Sequence, residues 1–222
     1  MKLIIGGSTG FVATELLSQA LRNPAITSII ALGRREATLP ADADSNAAKA
    51  KLKSIICDNF EEYPDSVKSE LENADACIWT IAVTPMKLST VPWEETCKIS
   101  RDYATTAIKT IHKLRQNKEK SLRFIHMSGH FAPRSRAEIP AGETETLILD
   151  YAEQSQGAVQ SCIVKPGLID APGAEKREIP GLPHIDLPDI AAALLHQVIR
   201  GFEKDTLSND DLVRIGQRAL AE

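Results

Sequence analysis

The residues best placed to do chemistry lie near the start of the chain. Gly6-Gly7-Ser8-Thr9-Gly10-Phe11-Val12-Ala13 follows a short apolar run and opens an amphipathic stretch. Between a strand and a helix, glycines at this spacing let the backbone turn tightly and approach a ligand closely, and the helix start offers unpaired amides and partial positive charge. Gly6 reads as the tight-turn residue, Gly10 as the point of close approach and Ala13 as the small residue at the helix–strand contact. The chemistry that fits is a grip on a pyrophosphate, so the expected ligand is a dinucleotide.

Further candidates follow at later strand ends. Ala31-Leu32-Gly33-Arg34-Arg35 closes a second apolar run. An acidic residue at that tip would accept bonds from ribose hydroxyls, whereas Arg34 and Arg35 match a 2′-phosphate in charge and fork geometry. NADP(H) is therefore expected ahead of NAD(H), with Glu36 weighing the other way. Asp58 and Asn59 after the third run either meet an adenine edge or form a turn. Thr80-Ile81-Ala82-Val83 would wall the middle of the cofactor. Ser128 and His130 are the candidate catalytic residues, a hydroxyl to hold a reacting oxygen and an imidazole with an ordinary pKa of about 6.5 for proton transfer.

Other groups carry two readings each. His130 is alternatively a water-facing loop residue, and Arg134 and Arg136 either clamp an anion or are solvated. Glu143 and Glu145 open a helix, where the dipole favours carboxylates. Tyr151, Asp102 and Tyr103 read as packing or helix-anchoring groups, and Trp79 and Trp93 as pocket lining or core. His126 and His130 are four apart, but His126 falls in a strand, so no metal site is expected.

The elements that must position these groups alternate along the chain. Strands are expected at Lys2–Gly6, Thr27–Leu32, Leu52–Cys57, within Ala74–Val83, at Leu122–Met127 and at Ala158–Val164. Helices are expected at Gly10–Arg22, Trp93–Leu114, Glu143–Gln154, Leu187–Phe202 and Ser208–Leu220. Residues 36–50 read as a surface connection, and 166–188 as a flap over the site or an ordered loop. Continuous apolar strands separated by helices predict an α/β protein, a Rossmann-type doubly wound parallel sheet. One domain over 1–222 is expected, with the core in 1–165 and a substrate-side flap and helices in 166–222.

Composition narrows the class. The chain has 222 residues, 43% of them hydrophobic and 25% charged, with a formal net charge of −4. It lacks the basic footprint of a nucleic-acid binder and any run long enough to span a membrane. Its four cysteines form no Cys-x-x-Cys pair and read as reduced core thiols of a cytoplasmic protein. A small-molecule substrate and a monomer or homodimer are expected.

Taken in order, these segments resemble the atypical short-chain dehydrogenase/reductases (SDRs), in the Tat-interacting-protein-like, NmrA-like NAD(P)-binding branch with its fungal mitochondrial relatives. GGSTGFVATELL, LGRR and CDNF carry the likeness, with Ser100-Arg101-Asp102-Tyr103, Ile125-His126-Met127-Ser128, Gly142-Glu143-Thr144-Glu145 and Lys165-Pro166-Gly167. It covers nearly the whole chain. The resemblance implies a Rossmann fold, and NADP(H) held by Gly6, Thr9, Gly10, Phe11, Val12, Arg34, Arg35 and Asp58 with residues around Ala82 and Pro166. Ser8 and Asn59 complete the candidate set.

One departure from that family stands out. Its enzymes usually pair a Tyr-x-x-x-Lys with a serine, a position Ser128 fits. The tyrosines here are Tyr63, Tyr103 and Tyr151, followed four residues later by Val67, Ala107 and Ser155. Aligned on Gly142-Glu143, the family's pair falls at Ala137 and Ala141. General acid–base groups contribute about 10²–10⁴-fold in rate, so the loss matters. The expectation is an oxidoreductase or repurposed SDR-like enzyme with an altered site. The alternative is an inactive NADP(H)-binding regulatory or redox-sensing module acting through protein partners.

Overall fold

The computed structural model describes residues 1–38, 46–116, 119–132 and 140–222. Lys2–Gly6 forms β1, in which Leu3, Ile4 and Ile5 are all fully buried, the signature of a strand covered on both faces. Phe11–Arg22 forms α1 and buries Val12, Ala13, Leu16, Leu17, Ala20 and Leu21 on one face. It stops at Asn23, whose extended backbone suits the proline that follows. Then come β2 (Ser28–Gly33), α2 (Asn46–Lys51), β3 (Leu52–Ile56), α3 (Asp65–Leu71) and β4 (Ala76–Trp79). The second half adds α4 (Trp93–Cys97), α5 (Tyr103–Lys113), β5 (Leu122–Met127), α6 (Pro140–Gln154) and β6 (Val159–Lys165). It closes with β7 (Leu168–Asp170), β8 (His184–Asp186), α7 (Leu187–Arg200), β9 (Thr206–Ser208) and α8 (Asn209–Ala221).

Seven strands pair in the order β3-β2-β1-β4-β5-β6-β9, all parallel. Alternate side chains feed two cores. Leu3, Ile5, Ala76 and Ile78 join α1, α7 and α8 on one face. Ile4, Cys77 and Trp79 join α3, α5 and α6 on the other. The chain runs outward from β1 to β3, then resumes at β4 on the other side of β1. The boundary between β1 and β4 is thus the switch point, where doubly wound sheets bind ligands beyond the carboxyl ends of the strands. The α/β class and the parallel sheet agree with expectation.

Several local expectations are corrected. The predicted helix over 93–114 is interrupted by a wider π-type turn at Lys98–Asp102. The Ser100 hydroxyl accepts the Val83 amide at 3.0 Å, and the Ser100 carbonyl lies 3.1 Å from the Thr144 hydroxyl, whose proton the Pro140 carbonyl shares at 2.5 Å. Within residues 166–188 the sequence reading missed two short strands, β7 and β8, which pair in parallel. Gly167 permits that crossing, because a Cβ would lie 1.9 Å from the Pro183 carbonyl oxygen. Residues 46–51 of the predicted surface connection are helical, and α3 and β9 had no counterpart in the sequence reading. Trp79 is fully buried core, whereas Trp93 is 59% exposed.

Candidate functional site

The glycine turn lies at the carboxyl end of β1, as its spacing predicts, but the glycines divide the work differently. The positive φ of 85° belongs to Gly7, not Gly6. Gly6 must lack a side chain because a Cβ would sit 2.4 Å from the Trp79 ring on β4. The Gly7 and Ser8 amides donate to the Leu32 carbonyl at 2.9 and 3.2 Å, and the Gly10 amide donates back to Gly7 at 2.8 Å. The turn is thereby fastened to the end of β2, one residue before Gly33 and the arginine pair. The amides of the first turn of α1 have no intrahelical acceptor, and no side chain caps them.

These residues fit a dinucleotide phosphate. Thr9, Gly10 and Phe11 are exposed at the turn, Phe11 to 52%. Val12 and Ser8 point inward, so Val12 offers only its backbone. The Ser8 hydroxyl is a buried polar atom with no partner, directly beneath the turn. Arg34 and Arg35 follow β2, both exposed. Asp58 and Asn59 follow β3 at the same edge, but the Asn59 side-chain oxygen already accepts the Glu61 amide at 3.0 Å, the turn-forming reading. Ala82 is exposed after β4, and Pro166 is buried after β6.

Ser128 and His130 leave the carboxyl end of β5 at the same edge. The Ser128 amide donates to Val164 at 2.9 Å and the His130 amide to Pro166 at 3.1 Å, which tethers this segment to the end of β6. The His130 ring packs edge-on against Phe131, with centroids 4.9 Å apart. Arg134, Arg136 and Ala137 lie outside the described residues, and Ala141 is half-buried in the first turn of α6. No tyrosine bonds to Ser128 among the described residues. Tyr63 is buried in the core, and that burial raises its phenol pKa. Tyr103 packs on Phe60, and Tyr151 shares a 2.8 Å bond with His112.

The group that sequence reasoning misplaced is Glu145. It was expected as a carboxylate favoured by the dipole at the start of a helix, yet it is fully buried within α6. Its Oε1 accepts the Ser128 hydroxyl at 2.6 Å and the Lys165 ammonium at 2.7 Å. Lys165, on the last residue of β6, also donates to the Ala132 carbonyl. The neighbouring Glu143 instead pairs with Arg101 at 3.0 Å, which ties the start of α6 to the π-type turn. The sequence signals for the triad are Ser128, already a candidate, and an acidic residue on the apolar face of α6.

No protein-family model matches the chain, and no curated protein matches it. Solved structures do resemble it. A dTDP-glucose 4,6-dehydratase from Streptomyces venezuelae with NAD bound aligns at TM-score 0.70 and 13% identity, over 100% of this chain and 81% of that one. MoeE5 in complex with UDP-glucuronic acid and NAD aligns at 0.69 and 14%, over 94% and 75%. Vestitone reductase from alfalfa (Medicago sativa) aligns at 0.65 and 16%, over 93% and 76%. At such identities the likeness establishes the fold. The chain has the Rossmann-type fold that these proteins share.

Proposed function

We propose that the chain is an NADP(H)-dependent oxidoreductase of SDR type, acting on a small metabolite at the β1/β4 switch point. The observation that carries this reading is the glycine turn with an uncapped helix start, locked to β2 by Leu32 beside Arg34 and Arg35. The turn supplies amides for a pyrophosphate, and the arginines supply charge for a 2′-phosphate. Neighbours solved with NAD support a nicotinamide dinucleotide in general. The runs GGSTGFVATELL and LGRR support the NmrA-like branch in particular. Four free cysteines support a reducing, cytoplasmic setting.

Titration calorimetry with NADPH and NADH tests the cofactor. NADPH is expected to bind more tightly. A hydrogen bond to a charged group contributes about 1.5–3 kcal/mol. Arg34→Ala or Arg35→Ala should therefore weaken NADPH by about 10-fold or more and leave NADH nearly unchanged. Equal affinity of the wild type for both nucleotides contradicts the assignment.

The missing Tyr-x-x-x-Lys pair favours a second reading, a nucleotide-occupied regulatory module without turnover. Steady consumption of NADPH or NADP⁺ with a physiological substrate at an enzymatic rate excludes it.

A further inference from the structure

The bond between Ser128 and Glu145 has a definite polarity. An ammonium group can only donate, and an ionised carboxylate can only accept. Lys165, 2.7 Å away and with 18% of its side chain exposed, holds positive charge against the fully buried Glu145. Glu145 Oε1 accepts from Lys165, and the Ser128 hydroxyl, 2.6 Å from the same oxygen, donates to it as well. A serine has one proton, and this one is spent inward. Ser128 is half-buried, and its remaining face presents only lone pairs.

We propose that Lys165 and Glu145 fix Ser128 as a hydrogen-bond acceptor, so that the site takes a hydroxyl-bearing substrate and oxidises it. This rests on the dinucleotide reading above and adds the substrate class. A carbonyl oxygen is itself only an acceptor and gains nothing from a serine in this state. An alcohol donates to it. Bound nicotinamide supplies the acceptor for the hydride that leaves the carbinol carbon with its electron pair. As that C–H bond breaks, the substrate O–H bond breaks too, and its electrons form the C=O bond. The hydroxyl proton passes to the Ser128 oxygen while the Ser128 proton passes to Glu145 Oε1. Lys165 then loses a proton to water and takes up the one on Glu145. Ser128 then turns its new proton back to the freed Glu145 Oε1, and the ketone or aldehyde, with no proton to donate to Ser128, is released. Ser128 touches the substrate; Glu145 and Lys165 act through it as positioning residues.

Direct binding tests this with a readout separate from activity. Calorimetry first establishes NADP⁺ binding. Cyclohexanol and cyclohexanone, equal in size, are then titrated into the NADP⁺ complex by ligand-observed NMR. The alcohol should bind at least about threefold more tightly than the ketone, a modest hydrogen-bond contribution. Ser128→Ala should erase that preference. Breaking a buried ion pair on one side alone endangers folding, so the second variant replaces both partners, Glu145→Leu with Lys165→Met. Such apolar replacements are often tolerated. This variant frees the Ser128 proton and should shift preference to the ketone, with NADP⁺ affinity held within about threefold. In the activity arm, cyclohexanol-dependent NADP⁺ reduction should fall about 10²-fold or more in both variants. The inference is overturned if the wild type prefers the ketone, binds neither probe, or keeps its preference in Ser128→Ala. Failure of the wild type to bind NADP⁺ overturns the dinucleotide reading, and this inference with it.

Discussion

His126 lies opposite Trp79 in the sheet register, and burial alone pushes its imidazole down to about 4. The unfolded chain takes up that proton below about 6.5, and the folded chain refuses it until about 4. Its contribution is complete above the upper value and lost progressively as pH falls through this window, about 3 kcal/mol in all. His126→Leu should flatten the stability profile between pH 6.5 and 4 in urea denaturation. It should also cost little at pH 7, since Nδ1 has no partner to lose. An unchanged slope in the variant would refute this account. The glycine turn could be read because turn, helix start and strand end are adjacent in sequence. The particular role of Gly6 could not, because the constraint is the Trp79 ring, 73 residues away in a neighbouring strand. Glu145 looked like an ordinary helix-start carboxylate because its partners come from the ends of β5 and β6.

At the level of elements, the central strands were readable because each is a continuous apolar run buried on both faces. The π-type turn was not, since its contacts with Val83 and Thr144 come from segments distant in sequence. Strands β7, β8 and β9 are each three residues long, too short for a periodic signal. Helix α8 was legible at its start, and the reason is a capping box. The Ser208 hydroxyl accepts the Asp211 amide at 3.2 Å, and the Asp211 carboxylate accepts the Ser208 amide at 3.1 Å. Burial pushes the Asp211 carboxyl up, but bonds from Lys204 and Ser208 outweigh it and hold the group at about 2. The box is therefore at full strength above about pH 4 and is lost as pH falls toward 2, with about 2 kcal/mol at stake. Asp211→Asn should lower stability at pH 7 by about 1–2 kcal/mol and remove the acid step between pH 4 and 2. Faster amide exchange confined to α8 would locate the loss. A variant as stable as wild type would show that the cap contributes nothing.

At the level of the whole molecule, both cores meet at β1 and β4. Leu3 and Ile5 anchor one, Ile4 and Trp79 the other, and the glycine turn projects from the seam between them. A nucleotide seated there would lie across the sheet's two halves, so its binding should stabilise the molecule rather than one loop. At a free concentration a hundredfold above Kd, a ligand specific to the folded state contributes about 2.7 kcal/mol. For a chain of this length each kcal/mol corresponds to about 2–4 °C in Tm. NADPH should raise Tm by about 5–10 °C under those conditions, with NADH giving a smaller rise at equal concentration. Gly7→Ala separates the turn from the rest of the fold. A side chain there must adopt φ of +85° with its Cβ 2.6 Å from the Thr80 hydroxyl, so the turn has to shift. That variant should lose about 1–2 kcal/mol of stability and most of the nucleotide-dependent rise, because the strained turn no longer aims the first-turn amides of α1. If NADPH still shifts the variant's Tm as much as the wild type's, the phosphates are held elsewhere, and the crevice between β1 and β4 is not where the nucleotide binds.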